Sequence, residues 1–165
     1  MLFFAALSYP ALAAPVDDAI AAQNKGDYAT ALRLLRPLAE GGNATAQYNL
    51  GGLYASGQGV PQNYAEAVSW YRRAADQGDV AAQLNLAAIY YNGQGVAQDY
   101  AEAVKWYRAA ADKGNISGQT MLAFAYINGR GVAQNYAEAA KYYRMAAERG
   151  DQASQNNLGS LYYRD

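Results

Sequence analysis

The stretch Tyr64-Ala65-Glu66-Ala67-Val68 returns as Tyr100-Ala101-Glu102-Ala103-Val104 and again as Tyr136-Ala137-Glu138-Ala139-Ala140. The spacing is 36 residues both times. A fixed period of roughly 20 to 50 residues marks a chain built as a solenoid of stacked units. The phase holds elsewhere: Gln47, Gln83, Gln119 and Gln155 share one register, as do Tyr54, Tyr90, Tyr126 and Tyr162. So do the glycine pairs Gly57/Gly59, Gly93/Gly95 and Gly129/Gly131. A unit this short cannot bury its own apolar face and must stack on its neighbours. The architecture follows from that, and it favours binding over catalysis.

Each unit reads as a helical hairpin. In a first helix over Ala44 to Ser56, Gln47, Leu50, Gly51 and Tyr54 fall on one face at 100° per residue. Thr45, Tyr48, Asn49, Gly52, Ala55 and Ser56 fall on the other. In a second helix over Tyr64 to Gln77 the core stripe is Tyr64, Ala67, Val68, Tyr71, Ala74 and Ala75, with Glu66, Ser69, Arg72 and Arg73 outward. Gly78, Gly114 and Gly150 stand where left-handed caps would end the second helices. Gly57-Gln58-Gly59-Val60 separates the two helices, its glycines permitting positive φ and its Val plugging back onto the core. A phosphate cradle would need a preceding strand and GxGxxG or Walker spacing; neither is present. The sequence therefore predicts an all-α fold, an α-solenoid of helix-turn-helix repeats, with no strand.

Composition closes off several function classes. The 165 residues, with 16 Tyr and much Ala, suit close-packed helices in which Ala lets backbones approach and Tyr supplies bulk. A net charge of −1 leaves no electrostatic footprint for nucleic acid or an anionic membrane. With no Cys and no His, thiol and imidazole chemistry and Cys- or His-based metal sites are excluded. No pattern asks for a metal or cofactor.

The N-terminus differs in kind. Leu2 to Leu7 is an apolar run too short to span a bilayer, and Ala11-Leu12-Ala13 has the small-x-small form of a signal-peptidase site. Pro10 and Pro15 would interrupt a helix here. No Lys or Arg precedes Lys25, so the positive segment of a leader is missing. The expectation is a secretory signal over residues 1–13, cleaved after Ala13, and a periplasmic or secreted mature protein. A plainer hairpin over 14–41 follows, then repeats over 42–165, at about 44–79, 80–115 and 116–151 with a partial copy at 152–165.

The pattern Ala-Gln-x-Asn-Leu-Gly-x-x-Tyr (Ala46 to Tyr54), then Gly-x-Gly-Val, then Tyr-x-Glu-Ala-x-x-Trp-Tyr-Arg-x-Ala-Ala (Tyr64 to Ala75) resembles the Sel1-like repeat, a relative of the tetratricopeptide repeat. Residues 15–40 are similar to a plain tetratricopeptide hairpin, with Lys25-Gly26-Asp27-Tyr28 as its turn and Tyr28, Ala31, Leu32, Leu35 and Leu38 as its stripe. The third full unit departs most, with Gly118, Met121, Ala123 and Tyr142 at signature positions. The resemblance implies a right-handed superhelix whose concave surface is lined by first helices, and an adaptor or scaffold role. Some cysteine-rich members of the family are described as penicillin-binding or β-lactamase-like. This chain lacks those cysteines, and no Ser is followed three residues later by Lys.

Three functions remain open. The first is a protein- or peptide-binding scaffold, with Tyr48, Asn49, Leu84, Asn85, Tyr91, Asn92, Thr120, Phe124 and Asn128 as candidate contacts. An Asn amide both donates and accepts, so the in-register Asn49, Asn85 and Asn157 match an extended peptide backbone. The same residues could instead be bound to water or a neighbouring turn. The second is an enzyme acting on cell-wall material or a β-lactam. Glu66, Glu102 and Glu138 recur, but on an outer face where pairing with Arg or Lys one turn on accounts for them. The third is a self-associating module, since Leu158, Leu161 and Tyr162 precede no second helix in this sequence; a fragment of a longer repeat array would end in the same way.

Overall fold

The computed structural model describes residues 13–162, and among these it contains helices, turns and no strand. In chain order the helices are α1 (Ala13–Asn24), α2 (Tyr28–Glu40), α3 (Ala44–Ser56), α4 (Tyr64–Asp76) and α5 (Val80–Asn92). They continue with α6 (Tyr100–Asp112), α7 (Ile116–Asn128), α8 (Tyr136–Ala147) and α9 (Gln152–Tyr162). Each packs chiefly on the helices before and after it, so the architecture is one-dimensional stacking. The leader expected over residues 1–13 lies outside the described residues apart from Ala13, where α1 begins. Pro15 does not interrupt that helix. It sits in the first turn, where the missing N–H has no intrahelical acceptor to serve.

Helix boundaries are set by capping chemistry repeated once per unit. Asn43, Asp79 and Asn115 cap the first helices, each side-chain oxygen accepting from the backbone N–H three residues on at 2.8–2.9 Å. Asn63, Asp99 and Asn135 do the same for the second helices, and Glu66, Glu102 and Glu138 place negative charge in those first turns. First helices end on Gly57, Gly93 and Gly129 in the left-handed region. The second loop glycine has a steric reason as well: a Cβ on Gly59 would lie 2.6 Å from Cβ of Tyr28. That glycine lets each loop press on the tyrosine opening the preceding second helix.

The core is a column of small and aromatic residues. Ala67, Ala74, Ala103, Ala110, Ala139 and Ala146 are fully buried, and Tyr71, Tyr107 and Tyr143 nearly so. In α3 the buried set is Ala46, Gln47, Leu50, Gly51 and Leu53, while Tyr54 is half-buried because its hydroxyl reaches out to Arg36. Gly118 replaces the buried alanine of α3 and α5 (Ala46 and Ala82) where a Cβ would meet the Ala111 nitrogen at 2.8 Å. Closer approach of α7 to α6 explains that departure.

Candidate binding surface

The seams between units are tied by an arginine–tyrosine ladder. Arg36 donates to the Tyr54 hydroxyl at 3.2 Å, Arg72 to Tyr90 at 2.7 Å and Arg108 to Tyr126 at 2.8 Å. Each runs from a second helix to the first helix 18 residues on. Arg72 therefore does not simply project outward. It also pairs with Glu102 of the next second helix at 3.0 Å, across the seam. Glu102 and Glu138 find Lys105 and Lys141 one turn on at 3.6 and 3.3 Å, and Glu102 also accepts from Trp106 Nε1 at 3.0 Å.

All nine candidate contact residues keep some solvent exposure. Asn92, Phe124 and Asn128 are the most open. The asparagines are partly engaged. Asn49 Nδ2 donates to the Thr45 carbonyl and Asn128 Nδ2 to that of Phe124, both at 2.8 Å within their own helices. Asn85 instead stands beside the Tyr71 hydroxyl, and Asn157 beside that of Tyr143. The choice follows from what stands opposite: a tyrosine lies 14 residues before Asn85 and Asn157, whereas Leu35 holds that register for Asn49. Thr120 Oγ1 shares a hydrogen bond of 3.1 Å with Ser154, Tyr48 tilts against Tyr71 at 5.8 Å between ring centres, and Leu84 is half-buried against the core. Burial pushes the Tyr71 and Tyr107 hydroxyls up to about 12, so both stay neutral donors and acceptors at ordinary pH.

Tyr91 and Phe124 are brought together by a residue outside the candidate set. The Arg130 guanidinium lies 5.8 Å from the Tyr91 ring, 5.5 Å from Tyr100 and 5.9 Å from Phe124, and donates to the Tyr91 hydroxyl. Tyr91 meets Tyr100 edge-on at 5.0 Å. The result is an aromatic cluster on the loop side of units 2 and 3. The signal for it was the single change of Gly-Gln-Gly to Gly-Arg-Gly at Gly129 to Gly131.

Sel1 repeats match residues 44–79, 80–115 and 116–151, well over half of the chain. The chain belongs to the Sel1 repeat family. Among solved structures it is similar to c5321, a protective antigen present in uropathogenic Escherichia coli strains and displaying an SLR fold, with 42% identity and a TM-score of 0.87. That match covers 93% of this chain and 34% of the antigen. A Sel1 repeat protein from Oxalobacter formigenes is 35% identical with a TM-score of 0.83, over 89% of this chain and 60% of the other. The chain thus spans about a third and three fifths of these two relatives. Helicobacter pylori cysteine-rich protein B shares the fold at 17% identity, with a TM-score of 0.58 over 89% of this chain and 94% of the other. Comparison with curated proteins finds no match.

Within this Sel1 array the exposed side of the first helices offers amides, hydroxyls and rings. Among the described residues no group of three or more His, Cys, Asp or Glu is placed to hold a metal ion. None of their helices is long and apolar enough to cross a membrane. Each of Glu66, Glu102 and Glu138 belongs to the first turn of its own second helix, one per unit.

Proposed function

We propose that this chain is a protein- or peptide-binding scaffold that works in the periplasm or outside the cell and engages its partner through the concave side of its first helices. The observation that carries the reading is the composition of that side. Tyr48, Asn49, Leu84, Asn85, Tyr91, Asn92, Thr120, Phe124 and Asn128 all retain exposure, and none is an acidic or basic residue. Donors and acceptors set among rings and aliphatics suit an extended backbone with apolar anchors. The Sel1 family supports the same role through its typical use as an interaction scaffold. The apolar run at Leu2 to Leu7 supports export. We read the chain as non-catalytic, since the recurring carboxylates are spaced one per unit rather than paired across a cleft.

The test is capture from periplasmic extract with the wild-type chain and with Asn85→Ala and Phe124→Ala. Each change is expected to weaken the captured complex, by roughly 1 kcal/mol or more where the residue is an anchor. Equal recovery by all three proteins rejects the first-helix surface. Turnover of nitrocefin or peptidoglycan abolished by one substitution would reject the scaffold in favour of an enzyme.

A further inference from the structure

The repeat allows one seam to be compared with the next, atom for atom of the same frame. Tyr64 and Tyr71 of the first full unit hold the registers of Tyr100 and Tyr107 in the second. In the second seam a further ring of the chain stands beside them. Tyr91 stands edge-on to Tyr100 at 5.0 Å and to Tyr107 at 6.5 Å, and the Arg130 guanidinium lies against both the Tyr91 and the Phe124 rings. In the first seam the residue in the register of Tyr91 is Ala55, that of Phe124 is Ala88 and that of Arg130 is Gln94. Two rings and a guanidinium have been replaced by two methyl groups and an amide. A cleft of about 180 Å³ opens at this place, lined by Ala55, Tyr64, Tyr71, Asn85 and Ala88, with Gln94 beside them. The third seam holds Ile127 in the same register, so its place is not vacated by a small residue.

We propose that this cleft is a binding pocket for one aromatic side chain, a phenol in preference to a plain ring, seated where Tyr91 sits in the next seam. Size fits a single ring: an apolar cavity of roughly 150 Å³ accepts benzene. Geometry fits as well, because Tyr64 and Tyr71 present the two ring walls that receive Tyr91 edge-on in the copy. The hydroxyl has partners. Arg130 donates to the Tyr91 hydroxyl in the second seam, and Gln94 brings amide N–H groups to the corresponding register in the first. No charged residue lines the cleft, so a carboxylate or ammonium would lose water without gaining a partner. That the ring belongs to a bound peptide rests on the scaffold reading above; that the cleft takes a ring does not.

The experiment is a methyl and amide NMR titration of the full chain with N-acetyl-tyrosinamide, N-acetyl-phenylalaninamide and N-acetyl-leucinamide. The tyrosine probe is expected to shift Ala55, Ala88 and Ile89 selectively and to bind more tightly than the other two. Ala55→Tyr restores the ring of the filled copy. It is expected to lower probe affinity roughly tenfold or more and to raise the melting temperature. Ala88→Phe closes the cleft from α5 and serves the same purpose should A55Y fail to fold. No shift at saturating probe, shifts elsewhere, or unchanged binding in the filled variant overturns the pocket. A peptide carrying Tyr that binds no better than the free amide removes the peptide as source while leaving the pocket intact. Failure to capture any protein from extract counts against the scaffold alone.

Discussion

Gln47 Nε2 donates to the Ala39 carbonyl at 3.0 Å, Gln83 Nε2 to that of Ala75 at 3.2 Å, and Gln155 Nε2 to that of Ala147 at 3.3 Å. Each acceptor lies in the last turn of the preceding second helix, where carbonyls lack intrahelical donors. Gln47 is the better satisfied, since its Oε1 accepts from Gln77 at 2.7 Å. Lys113 replaces Gln77 in the next unit and turns to the Gly78 carbonyl, and Gln83 Oε1 has no protein partner. Gln47→Leu should therefore cost about 1–3 kcal/mol in a denaturant titration, and Gln83→Leu less, because it also removes an unsatisfied acceptor. Equal losses would mean that the amide oxygens contribute nothing. The glutamine register is plain in the sequence, but its partner is not, because a carbonyl belongs to every residue and carries no identity. Asn85 and Asn157 show the same limit. Their spacing reveals a column, while the Tyr71 and Tyr143 hydroxyls that stand beside them come into place only when the helices are stacked.

At the scale of the helix, the sequence was far more readable. The spans of α3 and α4 follow from apolar period and glycine punctuation, and Gln77 proves to be the cap of α4 rather than part of it. Arg72 was less legible, because the hairpin pattern alone places it outward and only the neighbouring unit supplies Tyr90 and Glu102. The Ala stripe gives a direct stability test. Ala67 and Ala103 are fully buried at helix contacts, whereas Ala65 and Ala101, two residues earlier, are exposed. Ala67→Leu or Ala103→Leu should overpack the seam and cost on the order of 1–3 kcal/mol. Ala65→Leu and Ala101→Leu should leave the melting temperature nearly unchanged. A reversal of that ranking would put the core on the wrong face of the second helices.

For the molecule as a whole, charge and ring-amide surface are divided between the two helices of each hairpin, and much of the charge is already spoken for. Arg72 pairs with Glu102 and Tyr90, Arg108 donates to Tyr126, Lys105 lies between Glu102 and the Trp106 ring, and Lys141 pairs with Glu138. Arg73 stacks over Trp70 at 4.5 Å. These cations hold the chain to itself, so little fixed charge remains to steer a partner. Exposed charge pairs are screened beyond about 8 Å at physiological ionic strength, whereas buried ring and amide contacts are nearly indifferent to salt. A captured partner should therefore lose only modest affinity between low and high salt. Charge reversal at Arg73 or Lys105 should weaken it less than Asn85→Ala or Phe124→Ala. Calorimetry across a salt series with these four variants reads both effects. A steep salt dependence with the charge reversals dominant would move the site to the second helices, because only there does this chain display cations in every full repeat.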